Sequence, residues 1–113
     1  MHLGAFFFGV GHHLAAWRDP EVNPAAASDI ETLKDWARLA EAARFDAIFF
    51  ADNVGLPGPH DEVVARNALP YPMDPLLSLA AISQATTHIG LVATVSATYL
   101  PAYHLARKYA TLD

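Results

Sequence analysis

Three short apolar runs, each closed by glycines or polar residues and each followed by a loop and a helix-like segment, constrain the fold of this chain more than any other feature. The first, Leu3-Gly4-Ala5-Phe6-Phe7-Phe8, stops at Gly9-Val10-Gly11. Its length and glycine boundary predict a strand buried on both faces. The second, Phe45-Asp46-Ala47-Ile48-Phe49-Phe50-Ala51, is closed by Asp52-Asn53, and the third runs from His88 to Val95. Long loops without periodicity follow the first two, from Gly9 to Ala27 with Pro20 and Pro24, and from Val54 to Met73 with four prolines. Loops of that length inside a compact domain are usually functional or disordered.

The helical segments carry their own start signals. Ser28-Asp29-Ile30-Glu31 has the spacing of a capping box, in which the Ser28 hydroxyl accepts from the backbone N–H three residues on and Glu31 reaches back. Ile30, Leu33, Ala37 and Ala40 then recur on one side while Glu31, Lys34, Asp35, Arg38 and Glu41 take the other, which predicts an amphipathic helix ending near Arg44. Asp74-Pro75 offers an N-cap followed by proline at the first helical position, where its missing N–H costs nothing. The segment Leu76 to Ala85 is apolar nearly all round and is expected to be well buried. Pro101 opens a third helix containing His104, Arg107 and Lys108, which reaches the C-terminus without a C-cap signal.

Strands alternating with helices imply right-handed crossovers and a parallel sheet, an α/β fold. No internal repeat or domain boundary is visible, so residues 1–113 read as a single, incomplete domain. Two architectures fit: an open sheet with helices on both sides, or the first β-α-β-α-β-α portion of a (β/α)8 barrel, which needs about 250 residues. The long, polar, Gly/Pro-rich loops after the strands favour the barrel. In both, ligands sit beyond the carboxyl ends of the strands.

Composition removes several classes of function. Seven Lys+Arg against twelve Asp+Glu give a net charge of −5, a poor match for a phosphate backbone, so no nucleic-acid partner is expected. The stretch from Met1 to Trp17 lacks Lys, Arg, Asp and Glu, but its glycines and histidines make it too polar and too short to span a bilayer. No basic residue precedes Leu3 to Val10 as a signal peptide requires. The absence of cysteine excludes a disulfide framework and thiolate chemistry and fits a cytoplasmic protein.

Candidate chemistry collects at the strand ends. Asp52 directly follows the second strand and suits a fixed acceptor for an N–H on a bound ligand; a turn made with Asn53 is the plainer alternative. Thr94, Ser96 and Thr98 place hydroxyls at the end of the third strand, Thr94 level with Asp52, although β-branched residues suit strands in any case. His12, His13 and His60 invite a metal reading, but adjacent His12 and His13 point apart in an extended loop and no ligand spacing supports them. No metal is expected. One histidine facing a ligand and moving a proton near neutral pH is the better reading. Gly9-Val10-Gly11 lacks the third glycine and the immediate helix of a dinucleotide fingerprint. Trp17-Arg18 reads as a packed loop anchor with a solvated charge.

Taken in order, Gly11-His12, Trp17-Arg18, Phe45 to Asp52, Asp74-Pro75-Leu76, Ile89 to Ser96, Tyr103-His104-Leu105-Ala106-Arg107 and Thr111-Leu112-Asp113 resemble one family. The chain is similar to the N-terminal part of the bacterial luciferase-like flavin monooxygenases, in the branch that oxidises nitrilotriacetate, dibenzothiophene sulfone and long-chain alkanes. The resemblance implies a TIM barrel that takes reduced FMN from a separate flavin reductase, activates O2 and inserts one oxygen atom into a small organic substrate. It implies FMN contacts at Asp52 and Thr94, a substrate-facing role for His12, and a homo-oligomer in the full-length form. It further implies a strained backbone from Thr94 to Ser96, in some members a non-prolyl cis peptide, a conformation that costs about 3 kcal/mol. The remaining flavin and phosphate contacts are expected beyond Asp113, which leaves the isolated 113-residue chain inactive. Two alternatives stand beside this reading: a truncated, inactive chain that pairs its open strands with another chain, and a deazaflavin-dependent oxidoreductase on the same barrel.

Overall fold

The structure, a computed structural model, describes residues 1–13, 15–55 and 73–113. Three strands, β1 (Gly4–Phe7), β2 (Ala47–Phe50) and β3 (Gly90–Ala93), alternate with three helices, α1 (Ile30–Ala42), α2 (Pro75–Ile82) and α3 (Ala102–Leu112). Two single-turn 3-10 segments, Ala16–Arg18 and Ala26–Ser28, punctuate the loop between β1 and α1. The loop read from Val54 to Met73, with His60 inside it, lies for the most part outside the described residues.

The strands pair in parallel in the order β1-β2-β3. The register aligns Gly4 with Ala47 and Gly90, and Phe6 with Phe49 and Val92. Each strand is shorter than its apolar run, because the ladder closes only where a neighbour supplies groups. Single backbone bonds prolong it at both ends: Gly90 N–H donates to Asp46 O at 2.8 Å, and Thr94 N–H to Phe50 O at 3.0 Å. Gly90 is a close-approach position, since a Cβ there meets Asp46 O at 3.0 Å.

Right-handed crossovers between strands laid down in sequence order put α1 and α2 on the same side of the sheet. The core lies there. Leu33, Ala37 and Ala40 of α1 and Leu79 and Ile82 of α2 pack with Ile48 and Ile89, with Ala5, Phe7, Phe50 and Leu91 partly buried against them. Ile48 and Ile82 are the largest fully buried side chains among the described residues. The opposite face stays open: Phe6 is 42% and Val92 45% exposed. The expectation of a first strand buried on both faces therefore fails, because no described element covers that second face. An open doubly wound sheet would need the strand order to reverse so that helices reach both faces. The unreversed order with one-sided helices is that of a partial barrel, helices outside and the bare face inside.

The start of α1 differs from its expected cap. Ser28 belongs to the 3-10 turn, and Asp29 is the N-cap, accepting from Glu31 N–H and Thr32 N–H and from the Thr32 hydroxyl at 2.6 Å. The Thr32 hydroxyl, with the two backbone donors, holds the Asp29 carboxyl below its ordinary range. Glu31 turns instead to Lys34, 2.8 Å away. A carboxylate satisfies several donors at the positive end of a helix, which a hydroxyl cannot do. At the other end Arg44 adopts φ 63°, while Arg44 N–H bonds Glu41 O and Phe45 N–H bonds Ala40 O. These two bonds form a Schellman closure with arginine where glycine is usual. Helix α2 starts as its sequence predicts, with Asp74 accepting from Leu77 N–H at 2.9 Å and Pro75 at the first position.

Two carboxylates fasten the amino-terminal ends of the strands. Glu41 Oε1 accepts from the N–H groups of Thr87 (2.8 Å), His88 (2.6 Å) and Ile89 (3.0 Å), just ahead of β3. Asp46 accepts from Leu3 N–H at 2.6 Å and contacts His2 Nδ1 at 3.2 Å, ahead of β1. Both carboxyls are held below their ordinary range, Glu41 by the His88, Thr87 and Ile89 amides and Asp46 by the Leu3 amide and then His2. No described helix is long and apolar enough to cross a membrane.

Candidate functional site

A cleft of about 150 Å3 opens beyond the carboxyl ends of β2 and β3. Its walls come from three directions. Asp52 and Val54 continue from β2, Thr94, Val95 and Ser96 continue from β3, and Asp74 with Pro75 and Leu76 brings the amino end of α2. Tyr99 and Leu100, ahead of α3, and Lys108 within it complete the cleft. The structure thus brings Asp52 and Thr94 to one cleft. They are one row apart rather than level, because Phe50 pairs with Ala93, which leaves Asp52 two residues past the ladder and Thr94 one. Ser96 shares the cleft, whereas Thr98 is not among its lining residues.

The fold explains why these side chains meet. Parallel strands end at the same rim, so each residue that follows an apolar run is delivered to the same place. The Thr94 N–H bonded to Phe50 O keeps the exit of β3 aligned with that of β2. Tyr109 of α3 donates its hydroxyl proton to Ala93 O at 3.0 Å, which ties the helix carrying Lys108 to the end of β3.

His12 is elsewhere. Its ring stacks on Phe8 (centroids 5.4 Å) and stands edge-on to Phe6 (4.8 Å), and Phe6 in turn meets Phe49 at 5.0 Å. His12 therefore sits on the bare sheet face near the carboxyl end of β1, not among the cleft-lining residues. His13 has a local task, accepting Ala15 N–H at Nδ1. His60 lies outside the described residues, and among those described no three His, Asp or Glu gather into a group able to hold a metal. Gly9 (φ 54°) and Gly11 (φ 131°) make a tight turn closed by Gly11 N–H on Phe8 O. The Arg18 guanidinium lies 5.0 Å over the Trp17 ring, and the buried Trp17 Nε1 has no acceptor among the described residues.

One expectation is overturned. No peptide bond among the described residues is cis, and Arg44 is the single described non-glycine residue with positive φ, so neither a cis peptide nor a left-handed residue occurs from Thr94 to Ser96. The β3 ladder continues to Thr94, whose N–H bonds Phe50 O at 3.0 Å. Three lining residues had no functional reading in the sequence. Asp74 was legible only as a helix cap, and Tyr99 and Lys108 had no motif to mark them. The periodicity of α3 was the one available signal, since a lysine three residues after the half-buried Leu105 falls on the helix side that meets the sheet.

Comparison with known proteins decides the family. The profile of the luciferase-like monooxygenases matches residues 7–113. The chain belongs to the luciferase-like monooxygenase family. It is 38% identical to N-acetyl-S-(2-succino)cysteine monooxygenase of Bacillus subtilis (strain 168), over 98% of this chain and 24% of that protein. It is 36% identical to nitrilotriacetate monooxygenase component A of Aminobacter aminovorans, over 100% of this chain and 26% of that protein. Among solved structures, riboflavin lyase with modified FMN and riboflavin superposes with a TM-score of 0.84 at 27% identity, over 98% of this chain and 26% of that one. The chain therefore spans about a quarter of the length of the relatives it matches. Three parallel strands alternating with helices match part of the TIM barrel of these relatives.

Proposed function

We propose that this chain forms the N-terminal β/α units of an FMN-dependent monooxygenase. A separate flavin reductase supplies reduced FMN, O2 is the oxidant, and one oxygen atom enters a small organic substrate while the other leaves as water. Two electrons from the reduced flavin balance that exchange. Asp52 and Thr94 hold the flavin, the carboxylate accepting from a ring N–H and the hydroxyl donating to a ring carbonyl. His12 faces the substrate. The cysteine-free chain suits the cytoplasm, where we place the reaction, and we read the full-length enzyme as a homo-oligomer. The observation that carries this reading is the shared cleft: Asp52 and Thr94 line one cavity at the rim where parallel barrels bind ligands.

Fluorescence titration of FMN into the whole gene product tests it. Asp52→Ala and Thr94→Ala are each expected to weaken binding by roughly tenfold, the usual worth of a hydrogen bond involving a charged or well-placed partner. Unchanged affinity in both variants removes the assignment. A deazaflavin that binds in place of FMN would move the reaction to hydride transfer.

A second reading rests on the bare face and free edges of the sheet. Phe6, Phe8 and Val92 are 42%, 52% and 45% exposed, and β1 and β3 each have an unpaired edge among the described residues. Such edges are templates for association. On this reading the 113-residue chain is inactive and pairs with another chain. Size-exclusion chromatography separates the two cases, since a well-folded 12.2 kDa monomer counts against pairing.

A further inference from the structure

The peptide group joining Ala93 to Thr94 is bonded at both of its ends, and the two bonds come from different elements. Thr94 N–H donates to Phe50 O of β2 at 3.0 Å, and Ala93 O accepts from the Tyr109 hydroxyl of α3 at 3.0 Å. Strand pairing itself stops one residue earlier, at Phe50 and Ala93, and backbone at the end of a ladder opens most easily. Among the described residues β3 is an edge strand, so its outward carbonyl at Ala93 has no strand to bond it. Tyr109 fills that role. Its bond is also the one side-chain hydrogen bond between α3 and the sheet among the described residues, and no residue of α3 is buried.

A peptide group is rigid and turns as a unit about the soft dihedrals on either side of it. The tilt of the Ala93–Thr94 group therefore sets the direction in which the Thr94 Cβ leaves the chain. Thr94 lines the cleft and Tyr109 does not, so Tyr109 acts on the cleft through this group and not by touching a ligand. We infer that Tyr109 is a positioning residue: its hydroxyl, together with Phe50 O, locks the Ala93–Thr94 peptide and so aims the Thr94 side chain into the cleft. The inference rests on the flavin reading above, in which Thr94 contacts the cofactor. A peptide freed at its carbonyl end rotates, and binding then includes the cost of restoring its orientation.

Fluorescence titration of oxidised FMN into the whole gene product, with Tyr109→Phe placed in three backgrounds, tests the inference. Tyr109→Phe keeps the ring and removes one hydroxyl, and urea denaturation checks that each variant is folded. In the wild-type background it is expected to weaken FMN roughly threefold, the lower range for a neutral hydrogen bond. The same loss is expected in Asp52→Ala, because Asp52 follows the other strand. In Thr94→Ala no further loss is expected, since the side chain being aimed is gone. An equal loss in all three backgrounds assigns Tyr109 to helix docking alone and overturns the inference. FMN binding indifferent to Tyr109→Phe gives Ala93 O to another donor, such as a neighbouring strand, and overturns this inference while the flavin reading stands. A wild-type protein that binds no FMN overturns the flavin reading itself.

Discussion

Arg44 shows how a single residue departs from its easiest conformation. A left-handed backbone costs a residue with a Cβ about 1–2 kcal/mol, yet Arg44 sits at φ 63° to let Phe45 N–H reach Ala40 O and close α1. Arg44→Gly is expected to raise stability by up to about 1 kcal/mol, the relief of strain less the extra freedom glycine gains when unfolded. Urea denaturation read by circular dichroism measures it. Glu41 makes the opposite contribution, since one oxygen satisfies three successive N–H groups ahead of β3. Its carboxyl titrates below the ordinary range in the folded chain. The stability it supplies is therefore present above the unfolded-state value, near pH 4, and is lost as pH falls through the lower folded value. Glu41→Gln is expected to lower the urea midpoint at pH 7 and to flatten its fall on acidification. Asp29 and Asp46 leave a residual slope in that variant, because their carboxyls are lowered too.

At the level of elements, packing and capping divide the work. Ile82 is fully buried where α2 meets the sheet, so Ile82→Ala is expected to cost about 2–5 kcal/mol, measured by chemical denaturation. Asp74→Ala removes the cap of α2 at a cost of about 1 kcal/mol. All six elements were legible from the sequence, because apolar runs and helical periodicity record which residues are withdrawn from water. Their ends were less so. The Ser28 capping box was misread because Ser28 and Asp29 both fit an N-cap, and only the preceding 3-10 turn, a conformation without a pattern of its own, decides for Asp29. Strand lengths were overestimated for a related reason: apolar character continues past the point where a neighbouring strand stops supplying hydrogen-bond partners.

For the whole molecule, one-sidedness is the governing property. Phe7 packs toward the helices and Phe8, its neighbour, is 52% exposed, so the same substitution has different outcomes at the two positions. Phe7→Lys is expected to unfold the chain, whereas Phe8→Lys is expected to leave it folded and to reduce self-association in sedimentation velocity. This asymmetry was invisible in the sequence, where Phe6, Phe7 and Phe8 are one continuous run. The cleft was half legible. Asp52 and Thr94 were marked by their place after apolar runs, while Lys108 reaches the rim on α3 and Tyr99 on the segment ahead of that helix, with no motif to mark either. The row Gly4–Ala47–Gly90 and the row Phe6–Phe49–Val92 lie on the same bare face, small side chains toward the amino ends and bulky ones toward the carboxyl ends. Any strands that complete a cylinder with this segment must therefore carry the inverse gradient, large residues opposite the glycines and slender ones opposite the phenylalanines, or the interior will be hollow at its base and overfilled at its mouth.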